Sequence, residues 1–339
     1  MRALVAGAGG FIGGHLVKAI LNQSPINTVR AVDKKPLSQW YQRQESCRVE
    51  NVVLDLSRAE ACHAVCQGMD EVYQLAADMG GMGFIEKFRI ECMRSVLINV
   101  HMLEAAYQCG IKKYFFSSSA CAYNTALQQQ LDAPGLKESD AYPALAERGY
   151  GWEKLYSEML TQEYGVERGM NVWIARLHNV YGPKGTWRGG REKAPAALAR
   201  KVAYARLHDR DSVEVWGDGS QLRTYMFIDD CVDGIVRIVN EPKLKGVPIN
   251  LGSEERISVD GMLDVIEEIA GYLGLGDEPQ RTYDTSAPKG VVGRASDNTM
   301  IREVLGWEPS ISFESGMTRT YEWIYRQLEK EQRGECVLD

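Results

Sequence analysis

The chain has 339 residues, 45% of them hydrophobic and 25% charged, with a mean hydropathy of −0.29. That length suits one large domain or two closely joined lobes with a sizeable buried core, and the composition argues against a disordered, collagen-like or membrane-embedded chain. With 39 Lys and Arg against 46 Asp and Glu the net charge is −7, which speaks against nucleic acid held by bulk electrostatics.

The N-terminus (MRALVAGAGGFIGGHL) has one basic residue and a short apolar run broken by glycines, unlike a secretory leader. No stretch reaches the ~20 apolar residues of a membrane span. No membrane contact and a cytoplasmic location are expected. The eight cysteines (47, 62, 66, 92, 109, 121, 231 and 336) are irregularly spaced without a C-x-x-C, so neither a metal site nor a disulfide framework is indicated.

In chain order, Ala3–Ala6 predicts a first strand and Phe11–Leu21 a first helix. Val29–Asp33, Val52–Leu56, Glu71–Leu75, Lys113–Ser117 and Val172–Arg176 predict five further strands. Long helices are predicted over Ile85–Gln108 and Tyr150–Arg168. Strands alternating with helices give a Rossmann-type doubly wound parallel sheet in an α/β fold. After Tyr181 the alternation is lost. Short strands near Val213–Val215 and Tyr225–Ile228 precede helices over Cys231–Val239, Val259–Tyr272, Asn298–Leu305 and Phe313–Lys330. The expected division is a cofactor domain over 1–178, with returning segments near 226–257 and 294–305. A smaller substrate lobe takes 179–225 and 258–339, with a cleft between the two.

Gly7-Ala-Gly-Gly10-Phe11-Ile12-Gly13 joins the first strand to the first helix. Glycines there let backbone N–H groups approach a pyrophosphate, and the helix dipole favours that anion. Asp33 ends the next strand; a carboxylate there accepts from the adenosine ribose and repels a 2′-phosphate, so NAD is favoured over NADP. Lys34 and Lys35 follow directly and act against that preference. Asp55 and Leu56 are candidate adenine contacts and Ala76 a further cofactor contact.

Tyr150 and Lys154 stand at i, i+4 on one helix, where an ammonium lowers the pKa of a phenol. Such a tyrosine can take a proton from a sugar hydroxyl while the cofactor takes the hydride from the same carbon. Ser119, in the Ser117–Ser119 run, is placed to hydrogen-bond the reacting oxygen.

With these motifs the chain resembles the extended short-chain dehydrogenase/reductase superfamily over essentially its whole length. AADMGGMGF at 76–84, SSAC at 118–121, HNVYGP at 178–183, GTWRGGREK at 185–193, WGDG at 216–219 and RASDN at 294–298 are similar to the GDP-mannose 3,5-epimerase family within it. The resemblance implies transient oxidation at C4 by bound NAD, epimerisation beside the ketone, and re-reduction. It gives the acid and base roles to Cys121 and Lys193. It sets Gly80 and Gly81 against the sugar and implies that Asn179, Lys184, Arg223 and Arg294 hold the GDP-sugar, with Gln221 and Trp187 as second-rank contacts. A homodimer through a four-helix bundle of the two long helices is also implied. Asn124, Arg188 and the 124–137 stretch depart from the family pattern, which bears on substrate range.

Other readings stay open: epimerisation at C3 only, C5 only or C4, another nucleotide or sugar, or a non-catalytic dinucleotide sensor. A 4,6-dehydratase is disfavoured because Ala120-Cys121-Ala122 stands where it carries an acidic pair. From Lys184 to Lys193 four basic residues face one acidic, a local net of +3 within the acidic chain.

Overall fold

The computed structural model describes residues 1–22, 25–287 and 290–337; the last two residues of the expected substrate lobe, 338 and 339, lie outside them. Along the chain run β1 (Arg2–Ala6), α1 (Phe11–Leu21), β2 (Thr28–Asp33), β3 (Val49–Val53), α2 (Ala59–Cys66), β4 (Glu71–Gln74), α3 (Met82–Lys87), α4 (Arg89–Gln108), β5 (Lys113–Ser119), α5 (Tyr150–Arg168) and β6 (Val172–Leu177). Then follow β7 (Val180–Tyr181), α6 (Ala194–Leu207), β8 (Ser212–Trp216), β9 (Leu222–Thr224), β10 (Met226–Phe227), α7 (Ile228–Asn240), β11 (Pro248–Leu251) and β12 (Arg256–Ser258). The chain closes with α8 (Val259–Tyr272), β13 (Gln280–Asp284), β14 (Gly293–Arg294), α9 (Thr299–Leu305) and α10 (Phe313–Gln332).

Seven strands form one parallel sheet in the order β11-β6-β5-β4-β1-β2-β3. Successive side chains of a strand point to opposite faces. Ala3 and Val5 therefore enter one core with Leu16, Ile20 and Ile235, while Leu4 and Ala6 enter the other with Val72, Met102 and Tyr114. Burial on both faces is why these strands read as unbroken apolar runs. The strand order reverses between β1 and β4, and ligands bind at the carboxyl ends of strands at such a point. The later helices α6, α8 and α10 pack on one another, beside the small sheets β8–β13 and β12-β9-β14.

Several boundaries differ from expectation. The third strand is Val49–Val53, not Val52–Leu56, because its register against β2 runs from Val29–Val49 to Asp33–Val53. Asp55 and Leu56 thus lie in the loop beyond the strand, where Asp55 Oδ1 accepts from the Ser57 N–H at 2.9 Å. The expected helix Ile85–Gln108 is two helices, because Phe88 leaves helical geometry at φ −117, ψ 52. The fifth strand runs on to Ser119, and α7 starts at Ile228 rather than Cys231. β11 was not foreseen; it brings the 226–257 segment back to the sheet beside β6. No helix is long and apolar enough to cross a membrane among the described residues.

Candidate active site

A cavity of about 430 Å³ opens at the carboxyl ends of β1, β2, β4 and β5. Its wall includes Gly7, Gly10, Phe11, Ile12, Gly13, Asp33, Asp55, Leu56, Ala76, Ser119, Tyr150 and Lys154. Every cofactor residue expected from sequence is therefore brought to one cavity. The Gly7 and Ala8 N–H groups both donate to the Val32 carbonyl, at 2.8 and 3.0 Å. The turn then enters α1 at Gly10, leaving the first N–H groups of the helix without intrahelical acceptors. A Cβ at Gly13 would collide with the Gly7 carbonyl, so only glycine allows this turn.

These features fit a dinucleotide: a backbone cradle for the pyrophosphate, a carboxylate for the ribose, and Tyr150 and Lys154 at the far end. Lys34 and Lys35 are both committed elsewhere. Lys34 pairs with Asp78 at 2.7 Å, and Lys35 Nζ donates to the Gly9 carbonyl at 3.3 Å. Both lysines nevertheless line the cavity beside Asp33, so the carboxylate acts there with two ammonium groups nearby.

Tyr150 and Lys154 open the buried face of α5. Lys154 Nζ lies 5.5 Å from the Tyr150 ring centre and 4.9 Å from that of Phe116. Burial pushes the Tyr150 phenol well above its ordinary value, helped by Cys121 and Glu153, while the Ser119 hydroxyl pulls it back. The lowering expected from the ammonium is thus outweighed in the chain by itself, because desolvation penalises phenolate.

Cys121 follows Ser119, whose hydroxyl accepts from the Cys121 N–H at 3.2 Å. Arg294 Nη1 approaches the thiol sulfur at 3.7 Å. The guanidinium is buried, forming an ion pair with Glu147 and donating from Nε to Gln128 Oε1 at 2.6 Å. Burial and Glu147 push the thiol up; Arg294, Ser119 and Lys193 pull it back. Lys193 is the N-cap of α6 and lines the cavity. Desolvation pulls its ammonium down, opposed by Cys121 and the buried Cys231.

The loop carrying Gly80 and Gly81 meets the loop carrying Lys193. The Gly81 N–H donates to the Arg191 carbonyl at 2.9 Å, and a side chain at Gly81 would run into the Glu192 carbonyl. Arg191 stacks over Phe84 at 3.8 Å and reaches Asp78 at 3.6 Å.

Arg223 lies in the field of Arg294, Glu147 and Cys121, and donates to the Val292 carbonyl at 2.8 Å. Asn179 donates to the Thr224 carbonyl at 3.2 Å, Lys184 is exposed at φ 66, and the buried Gln221 packs under the Gly217 turn. Trp187 is not a ligand contact in this arrangement. It is 0% exposed, sits edge-on to Trp323 at 6.3 Å and donates to the Tyr41 hydroxyl at 3.1 Å. The basic loop is also less free than its +3 suggests, since Arg188 pairs with Glu331 at 2.8 Å. Sequence reading missed Glu147 and Gln128, which nothing local marks. It also missed Asn99 and Glu153, whose signal was a polar side chain on the buried stripe of a helix.

A Rossmann sheet whose cofactor cavity ends in a serine, a tyrosine and a lysine defines an NAD-dependent enzyme that works on an alcohol carbon. Residues 3–252 match the family described as "NAD dependent epimerase/dehydratase family", and the chain belongs to it. It is 40% identical over 332 residues to GDP-mannose 3,5-epimerase 1 of Oryza sativa subsp. japonica, covering 98% of this chain and 83% of that one. It is equally 40% identical to GDP-mannose 3,5-epimerase of Arabidopsis thaliana, covering 98% and 84%. Among solved structures, UDP-glucuronic acid 4-epimerase of Bacillus cereus with UDP-glucuronic acid and NAD is similar, with a TM-score of 0.80 and 25% identity over 97% of this chain and 100% of that one.

Proposed function

We propose that this chain converts GDP-mannose by epimerisation at C3 and C5, using NAD. The observation that carries the reading is Cys121 beside Tyr150, held under Arg294 and within the field of Lys193. A C4-epimerase needs the tyrosine and lysine but no such thiol.

Bound NAD supplies a hydride acceptor and, later, the donor for the same carbon. Tyr150, hydrogen-bonded to Ser119, takes the C4 hydroxyl proton and returns it at the end. Lys154 would help to hold the cofactor and, beside Tyr150, would stabilise the phenolate. The C4 ketone acidifies the C3 and C5 hydrogens by delocalising the carbanion as an enolate. Cys121 then removes a proton from one face of the sugar, and Lys193 delivers one to the opposite face. Desolvation makes the lysine a better acid, and Arg294 stabilises the developing thiolate. Arg223, Asn179 and Lys184 serve the diphosphate, with Gly80 and Gly81 against the sugar. The cofactor lobe is residues 1–178 with returning segments 226–257 and 294–305.

The same reading makes the chain a homodimer. Ile90, Met93 and Leu97 on α4 and Trp152, Tyr156 and Met159 on α5 recur at three- and four-residue spacing, yet are 41 to 71% exposed. Two such faces bury each other as a four-helix bundle. The test of the reaction is incubation with GDP-mannose in D2O, followed by NMR and mass. Deuterium at C3 and C5 is expected, and its absence from both positions overturns the reading for this substrate.

A further inference from the structure

Lys154 carries its charge on a side chain that is only 2% exposed. An ammonium so placed needs a counter-charge or it destabilises the fold. Its carboxylate neighbour is Glu153, the preceding residue, whose Oε2 lies 3.8 Å from Nζ. Adjacent residues on a helix do not normally face each other. This pair meets because both side chains are turned into the same interior.

Glu153 is itself held by other elements. Its Oε1 accepts from Asn99 of α4 at 2.6 Å and from Ser157 one turn on at 3.0 Å. The Asn99 carbonyl oxygen in turn accepts from Gln74, at the end of β4, at 2.8 Å. One oxygen is thus fixed by two donors, while Oε2 is buried and makes no hydrogen bond. A buried carboxylate oxygen without a donor is costly, and the group it faces is the Lys154 ammonium.

We infer that Glu153 is the positioning residue of the active-site lysine: a carboxylate anchored to α4 and β4 that supplies the counter-charge for Lys154 and fixes its head beside Tyr150. It acts through Lys154 and touches neither sugar nor cofactor. The inference rests on the reading of Tyr150 and Lys154 as the redox pair, but not on GDP-mannose.

The test is a double-mutant cycle of Glu153→Gln and Lys154→Met. Glutamine keeps an oxygen for Asn99 and Ser157 but turns an N–H2 toward the ammonium. In the free chain, urea unfolding needs neither sugar nor cofactor, so failure of the substrate reading leaves this arm intact. Glu153→Gln should lower the midpoint clearly in wild type and little in Lys154→Met, because the unpaired charge is then gone. If Glu153→Gln alone does not fold, the double variant should fold. Equal destabilisation in both backgrounds, or a double variant that is also unfolded, overturns the inference. In the enzyme with bound NAD, Glu153→Gln should lower kcat about a hundred-fold with KM within about two-fold, as expected of a displaced catalytic group. An unchanged kcat overturns the positioning role.

Discussion

Arg294 touches Cys121 and Glu147 at once: its Nη1 stands 3.7 Å from the thiol sulfur while its Nη2 forms the buried ion pair with the carboxylate. The thiol therefore feels a guanidinium that favours its thiolate and a carboxylate that opposes it. Glu147→Gln removes the opposing charge and keeps a hydrogen-bonding partner for Arg294, so thiolate forms at lower pH. Arg294→Met does the reverse. Alkylation of Cys121 by iodoacetamide at pH 8, followed by mass spectrometry, should be faster in the first variant and slower in the second, because the thiolate is the nucleophile. The same order in both variants would falsify this account of the thiol.

In the proposed reaction Tyr150 and Cys121 serve different steps, so their loss should separate the reaction. Cys121→Ala should abolish deuterium uptake at C3 and C5 while NAD reduction by the sugar persists. Tyr150→Phe should suppress both, by roughly a hundred-fold or more, since general base catalysis contributes about that much. Absorbance of the reduced cofactor and deuterium content are read on the same samples. Undiminished exchange in Cys121→Ala removes the thiol from the mechanism.

How far the sequence reached depended on how local each signal was. The Gly7–Gly13 turn and the Tyr150–Lys154 pair were legible because the strand–turn–helix and the i, i+4 spacing hold them together without help from the rest of the fold. Cys121 and Lys193 were assigned by resemblance, since their closeness exists only after β5 and α6 are packed. Glu147 could not be read at all: it stands in an irregular segment and is defined by its pairing with Arg294, half the chain away. Trp187 failed for the opposite reason. It lies within a ligand-like motif, but its ring is fully buried against Trp323 and its N–H is taken by Tyr41. The strand β11 was missed because four residues, one of them a proline, give too short a pattern.

In the proposed reading Asp33 sets the cofactor preference, with Lys34 paired to Asp78 and Lys35 tied to the Gly9 carbonyl. Asp33→Ser should weaken NAD binding about ten- to a hundred-fold, the worth of a hydrogen bond to a charged group. NADP binding should gain far less, since neither lysine is released. Titration of both cofactors by tryptophan fluorescence checks this, and tight NADP binding by the variant would show that the lysines swing free.

The α4–α5 face supplies a prediction that needs no chemistry. Trp152→Glu places a charge in the exposed apolar strip that also holds Ile90, Met93, Leu97, Tyr156 and Met159. Desolvating that carboxylate in the bundle costs several kcal/mol, so the variant should be a monomer by light scattering where the parent is a dimer. A parent that is already monomeric at micromolar concentration removes the bundle from the account.

His178 ties stability to pH. Its Nε2 lies 2.9 Å from Asn250 Oδ1, and that amide is fixed by donating from Nδ2 to the Leu136 and Asp297 carbonyls at 2.7 and 3.1 Å. The oxygen must therefore accept, so Nε2 carries the proton and Nδ1 is bare, buried and without a partner. Burial, with Arg294 and Arg176 nearby, lowers the ring to about 3 from its ordinary 6.5. The folded-state value is depressed, so below pH 6.5 the unfolded chain binds a proton that the native state refuses. Stability is then lost as pH falls, by about 1.4 kcal/mol per unit, until the native ring protonates near pH 3. Between pH 6.5 and 5 this one group removes about 2 kcal/mol. His178→Gln keeps a donor to Asn250 and cannot titrate. Its urea unfolding free energy should fall less than the wild type's over that interval, by about the same 2 kcal/mol. Parallel curves for the two proteins would mean that His178 is already protonated in the fold at pH 5.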